Sequence, residues 1–500
     1  MRLPALSIFV PMLCLAQQPP SANCAADGVV VNSVTGEPIP RARVLLLQAR
    51  LAVVSDGSGK WSAANIPCGR VVFTASKTGF LQGGGVPSEA PVHDLRIEMI
   101  PQAVVAGKVL DDAGDPVANA RISVLGSHVV EGRRSFRWGS SLSMTNDLGE
   151  YRVAGLLAGK AIVCAVAAND NLANLTSETA VLAESCYPGP PDGGAASAMA
   201  LAAGREARVN FNLTRVPAVR IRGRVTGLPE GGGGVVTLQE RSTSRMAGQG
   251  RPATMARDGS FEIRGVPPGA WLLSVDYWEA GKRLLARVPA DVGGSDIEGV
   301  VVHLEPGVTL TGTVTTPSTP RQINVSLRGT DPLAGAAGPQ WDKTHTSFTI
   351  ADAIPGVYML TVNVPAPYYV KSAILDGRDM SREPVSLTQS AGPVNIVLGD
   401  DAGTVQGVLQ DSDGNATAGW AMVLHEGRPP VGIPTAADGR FKIPGLAPGD
   451  YRVFGWDDFQ EAEYADPDWM RRNGGSGVAA TVTGGQSTEV KAVRVKVPRD

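Results

Sequence analysis

Basic residues do not outnumber acidic ones. The 45 Lys and Arg stand against 48 Asp and Glu, a formal net charge of −3, with no long run of either sign. A nucleic-acid-binding surface normally shows a basic stripe, and none is visible. No stretch beyond the N-terminal segment is long and apolar enough to cross a bilayer as a helix. The five histidines, His93, His128, His303, His345 and His425, are scattered. There is no His-Glu-x-x-His pair, no Gly-x-Ser-x-Gly elbow and no phosphate-binding loop. The glycine run from Gly231 to Gly234 lacks the Lys-Ser/Thr that would follow such a loop, and reads as a hairpin tip. No catalytic residue, metal ligand set or cofactor is indicated. An enzyme would need carboxylates or histidines from distant segments to converge in one cleft. A strict Gly-X-Y period is missing, which excludes collagen.

What is present is 43% hydrophobic residues with 60 glycines and 37 prolines in 500 residues. That is too long for one ordinary core and too apolar for a disordered polymer. Met1-Arg2 followed by an apolar stretch to Ala16 fits a cleaved secretory signal over residues 1–16. Removing Cys14 with it leaves Cys24, Cys68, Cys164 and Cys186, an even number in an oxidising compartment. Four cysteines allow three connectivities. Pairing sequence neighbours gives Cys24–Cys68 and Cys164–Cys186, bridges worth roughly 4 and 3 kcal/mol in the chain-entropy model. A zinc site is the rival, but no Cys-x-x-Cys occurs.

The chain repeats. A polar turn, a glycine and an aromatic two residues later recur as Asp56-Gly57-Ser58-Gly59-Lys60-Trp61, Asn146-Asp147-Leu148-Gly149-Glu150-Tyr151, Asp258-Gly259-Ser260-Phe261 and Asp438-Gly439-Arg440-Phe441. Ten residues after each first glycine stands a second, often behind proline: Gly69, Gly159, Gly269 and Gly449. In a fourth copy Thr346 takes the first glycine's place, ten before Gly356, with Phe348 as the aromatic. Asp caps its own turn and Gly tolerates positive φ, so each signature reverses the chain. The strand that follows puts the aromatic on one face, assigned here to a core. A calcium loop is the rival reading, but each turn offers only one or two carboxylates.

Each unit opens with a glycine inside a short apolar strand, at Gly28, Gly107, Gly223, Gly312 and Gly407, and closes on a strand of period two, such as Leu95-Arg96-Ile97-Glu98-Met99. Short strands, Gly/Pro/Asp turns and no long amphipathic helix predict an all-β chain of five β-sandwiches in tandem. The expected domains are 24–100, 101–215 with a long loop over 186–204, 216–305, 306–400 and 401–500.

The run Gly36-Glu37-Pro38-Ile39-Pro40-Arg41-Ala42-Arg43-Val44, then Asp56-x-x-Gly59-x-Trp61 and Pro67-x-Gly69, resembles the carboxypeptidase regulatory-like domain. The second unit matches through Gly114-Asp115-Pro116-Val117-Ala118-Asn119-Ala120-Arg121-Ile122, and the fifth through Asp438 to Tyr451. The third and fourth lack the opening and match only through their later turns. The resemblance implies a transthyretin-like, immunoglobulin-like seven-stranded sandwich related to B-type repeats of collagen adhesins, in an arrangement like that of multi-domain exported acidobacterial proteins. Such domains accompany many unlike partners, so the resemblance says little about function. Adhesin-type sandwiches sometimes carry an internal Lys–Asn amide bond. Lys108 invites that thought, but alternation with Gly107 and Val109 places it on the wet face.

Two stretches exceed a minimal sandwich: the loop 186–204, and the aromatic and acidic segment from Trp456 to Trp469. Trp456, Tyr464 and Trp469 are the ligand candidates, since exposed rings stack sugars while carboxylates take hydroxyls. The rival reading has them cover the sandwich edge. Tyr277-Trp278 is a weaker second candidate. The expectation is an exported, non-catalytic array with a structural, adhesive or binding role at the cell envelope. Its partner would be a protein or a polysaccharide, not nucleic acid, and the chain would not span the membrane. Carbohydrate binding by domain five, or an enzyme with an inter-domain site, are the alternatives.

Overall fold

In the computed structural model the described residues are 23–497 without 48–49, 82–84, 131, 168–179, 190–197, 230–231, 242–250, 280–281, 319–321, 331–333, 335, 427, 460–461 and 476. The signal segment 1–16 with Cys14, the middle of the loop 186–204 and part of the glycine run 231–234 lie outside them. The chain divides into two compact units. One comprises the residues to Val105 with Ala154–Ala158 and Leu201–Ala207, and the other comprises the rest.

The first sandwich shows the plan. Strand β1 (Asn23–Asn32) lies between β4 (Lys60–Pro67), antiparallel to it, and β7 (Val92–Met99), parallel to it. Facing this sheet is a second one of order β3-β2-β5-β6, built from β2 (Arg43–Leu46), β3 (Leu51–Val54), β5 (Gly69–Ser76) and β6 (Val86–Ala90). Inward residues of both sheets, among them Val30, Val44, Trp61, Ile66, Phe73 and Ile97, close one core. Trp61 packs on Phe73 with ring centroids 5.1 Å apart.

The plan recurs. Val219–Thr226 lies between antiparallel Ser260–Val266 and parallel Ile297–His303. Val308–Thr315 lies between Ser347–Ala353 and Ala391–Gly399. Gly403–Gln410 lies between Arg440–Leu446 and Ser487–Val495. In the second sandwich β8 (Ala103–Asp111) takes Phe211–Leu213 as its parallel neighbour. Facing it are β9 (Arg121–Val130), β10 (Arg133–Met144) and Gly159–Val166. The cores around Phe261, Phe348 and Phe441 are separate clusters. Trp61, Tyr151, Phe261, Phe348 and Phe441 are all buried. The aromatic after each turn is therefore a core residue.

The turns follow the chemistry of their residues. Asp56 Oδ1 accepts from the Ser58 and Lys60 amides, and Asn146 Oδ1 from those of Leu148 and Glu150. Gly59, Gly149, Gly259 and Gly439 have φ of 76°, 73°, 83° and 76°, the left-handed region that favours glycine. The Ser58 hydroxyl and the Lys60 amide hold the Asp56 carboxyl below its usual range.

The fourth turn departs from the expectation. His345, at φ 55°, holds the left-handed position, and Thr346 does not. The Asp342 amide donates to the Ser347 carbonyl there, whereas the Asp56 amide donates to Lys60. The turn is one residue longer, so Phe348 reaches the core three residues after the left-handed one. Asp342 holds the longer turn by accepting from the Thr344 hydroxyl and the Thr346 and Ser347 amides.

The strand glycines have a steric cause. A Cβ on Gly107 would lie 1.7 Å from the Val209 carbonyl oxygen, and one on Gly407 1.8 Å from that of Val490. The closing parallel strand crosses the opening one so closely that only glycine fits.

A further repeated feature is a bulge. Asn65, Gly155, Gly265, Asp352 and Gly445 all have φ between 58° and 77°. The pairing register slips beside four of them, for example between Cys24 and Ala25 opposite Asn65.

Disulfides join Cys24 to Cys68 and Cys164 to Cys186. The first ties the outer ends of β1 and β4, where Cys24 pairs with Ile66. The second links directly opposed residues of Gly159–Val166 and Ser185–Tyr187. Lys108 is exposed, with its backbone amide on Asn210 Oδ1 at 2.9 Å, so its side chain stands outside the core.

Removing a kernel ring is expected to cost about 3–5 kcal/mol, and removing an exposed charge within about 0.5 kcal/mol. Calorimetry of the intact chain should therefore show one transition moved to lower temperature in Phe441→Ala and an unchanged trace in Lys108→Ala. Equal traces for the two variants would refute the core placement.

Candidate functional site

The aromatic segment of the fifth sandwich contains the one helix among the described residues, α1 (Pro467–Asn473). Asp466 caps it by accepting from the Asp468 and Trp469 amides, and proline occupies the first turn where its missing N–H costs nothing. Arg471 and Arg472 stand in the last turn, where they complement the helix dipole.

This helix presses Trp469 onto Trp456. The two rings meet edge to face at 5.8 Å and share an apolar cluster with Met422, Phe454, Ala462 and Val497. Trp456 is 0% exposed and Trp469 6%. Tyr464, half-buried, stacks on Phe459 at 5.5 Å, and Phe459 stacks on Trp420 at 5.6 Å. Trp456 and Trp469 thus cover each other, and Tyr464 is partly covered by Phe459. The physical reason is that Gly449–Trp456 runs past the main core, and the segment after it folds back to cover the strand's second face. Trp456 and Trp469 belong to a second apolar kernel, and half-buried Tyr464 packs against it.

The weaker candidate fares differently. Gly269–Glu279 and Lys282–Val292 form an eleven-pair hairpin, and Trp278 sits near its tip, 62% exposed. Its cross-strand partner Arg283 places its guanidinium 5.7 Å from the ring centroid. Such a cation–π pair holds the indole in one orientation. Arg283 Nε also donates to Asp276 Oδ1 at 2.9 Å, and Arg287 Nη2 to Asp276 Oδ2 at 2.7 Å. Burial pushes the Asp276 carboxyl up, but the hydrogen bonds and charges of Arg287 and Arg283 outweigh it and hold the group below its usual range. Tyr277 points the other way and packs against the core of the third sandwich. The tip therefore presents one ring on a fixed base of two arginines and a carboxylate. Exposed Trp and Arg of this kind are the side chains that dominate binding energy at interfaces.

Other polar groups serve the fold. Asp111 and Asp411 cap their own turns as Asp56 does. His93 Nδ1 lies 2.5 Å from Asp27 Oδ2, and this hydrogen bond raises the imidazole's pKa. His303 meets the Thr226 hydroxyl, and His345 stacks on Trp341. Tyr358 and Tyr451 each donate to the carbonyl four residues back, Ile354 and Ala447, and so brace the turn before them. Among the described residues, the one group of three that could hold a metal is Cys164, Glu184 and Cys186, where the two sulfurs are bonded to each other. No helix among these residues is long and apolar enough to cross a membrane.

No family model matches the sequence, and no curated protein matches it. Solved structures give distant likenesses. The TIE protein of Bacillus anthracis is 10% identical, with 76% of this chain and 69% of that one covered, at a TM-score of 0.16. The minor pilin GBS52 of Streptococcus agalactiae is 12% identical over 39% of this chain and 97% of that one, at 0.22. The major pilin subunit BcpA of Bacillus cereus is 9% identical over 56% and 99%, at 0.15. Likeness of this degree says nothing of function.

Proposed function

We propose that the chain is an exported, non-catalytic array of β-sandwich domains with a structural or adhesive role at the cell envelope. One observation carries this reading: the first, third, fourth and fifth sandwiches each close on a kernel of their own. Among the described residues, Asp56, Asp111 and Asp411 cap turns, and Asp276 and Glu463 pair with arginine. On the repeat we assign β-sandwich domains to 24–100, 101–215, 216–305, 306–400 and 401–500, the first, second and fifth of the carboxypeptidase regulatory-like kind. Export is supported by the two disulfides and by the composition of residues 1–16.

A chain whose work is to bear load should yield one sandwich at a time. Pulling the intact oxidised chain by atomic force microscopy should give a sawtooth of separate rupture events. Reduction should lengthen the extension released by two of them, because the disulfides lock segments of 44 and 22 residues. One all-or-none rupture would contradict the reading.

The second reading, recognition of a polysaccharide, moves from the fifth sandwich to the hairpin tip of the third, because Trp278 is exposed where Trp456 and Trp469 are buried. In affinity gels containing cell-envelope polysaccharide, the intact chain should be retarded and Trp278→Ala should run free. Trp456→Ala should bind like the parent while losing stability. Retardation that survives Trp278→Ala would refute this second reading.

A further inference from the structure

The fifth sandwich's extra segment touches the second sandwich, 329 residues away in sequence. Gly132, at φ 72°, sits in the tight turn between β9 and β10. Its carbonyl accepts from the Ala465 amide at 3.0 Å. A Cβ there would lie 2.4 Å from the Tyr464 ring, so the turn is seated directly on that side chain. Beside this contact Arg134 Nε donates to Glu463 Oε1 at 2.8 Å, while Arg134 Nη1 donates to Ser127 Oγ within its own hairpin. The ion pair is well shielded, with side-chain exposures of 8% for Arg134 and 18% for Glu463. An ion pair removed from water persists only where geometry and further hydrogen bonds fix it, and losing one partner strands the other.

The segment is also rigid behind the contact. Tyr464 stacks on Phe459, which stacks in turn on Trp456 at 6.5 Å, and the Asp466 amide donates to the Glu463 carbonyl before capping α1. A stacked row of rings thus runs from the second kernel of the fifth sandwich to the turn of the second.

From this we infer that residues 462–475 are a docking knob whose partner is the β9–β10 hairpin of the same chain, locking the second sandwich to the fifth. The surface fits a left-handed glycine turn followed two residues later by arginine: Gly132 admits the tyrosine ring, and Arg134 neutralises Glu463. This goes beyond the structural reading and does not depend on what the array binds.

The test is a spin-label distance measurement on the intact oxidised chain, with labels at Leu142→Cys on β10 and Arg471→Cys on α1, both exposed positions. The parent should show a single narrow distance population that survives dilution with unlabelled chain. Arg134→Glu should lose that population, and Gly132→Val should lose it independently by displacing Tyr464. The charge-swapped pair Arg134→Glu with Glu463→Arg should restore it. The inference is overturned by a broad distribution in the parent, by a narrow one in Arg134→Glu, by no recovery in the swapped pair, or by a signal that vanishes on dilution and so arises between two copies.

Discussion

Because Gly59, Gly149, Gly259 and Gly439 turn the chain through the left-handed region, each following strand starts in a fixed register, and the ring two residues on falls onto the core face. A one-residue slip would carry that ring into water. The burial of the ring and the geometry of the turn are therefore one constraint, and the sheets assemble around it. The fourth sandwich shows how tightly the two are coupled. Its turn gained a residue, the left-handed position moved to His345, and Phe348 still reaches its core.

The second constraint is the close crossing of first and last strands. A parallel pair brings the ends of each domain to the same sheet, and the glycine beneath the crossing lets the backbones meet. The bulges at Asn65, Gly155, Gly265, Asp352 and Gly445 then bend the strand that pairs with the opening one. The first, third, fourth and fifth sandwiches so built each bury a kernel of their own. Contacts such as Gly132 on Tyr464 can then be added without disturbing a core.

Much of this was legible in the residues. The glycine spacing located the turns, the aromatic slots and the opening strands, because those features demand particular residue types at particular positions. The disulfide partners followed from sequence neighbourhood. Two things were not legible. The bulge position tolerates Asn and Asp as well as Gly, so no letter repeats there. The rings at 456–469 are the same amphipathic residues whether they face solvent or one another, and the packing of α1 across Trp456 is written in no spacing of letters. Trp278, by contrast, stands near the tip of a long hairpin and is exposed.

The autonomy of the kernels is tested most directly by hydrogen exchange on the intact chain carrying Phe261→Ala, a ring that belongs to the third sandwich alone. The account predicts faster exchange in Val219–Thr226, Ser260–Val266 and Ile297–His303, with β1, β4 and β7 as protected as in the parent. A uniform loss of protection across both sets of strands would contradict it.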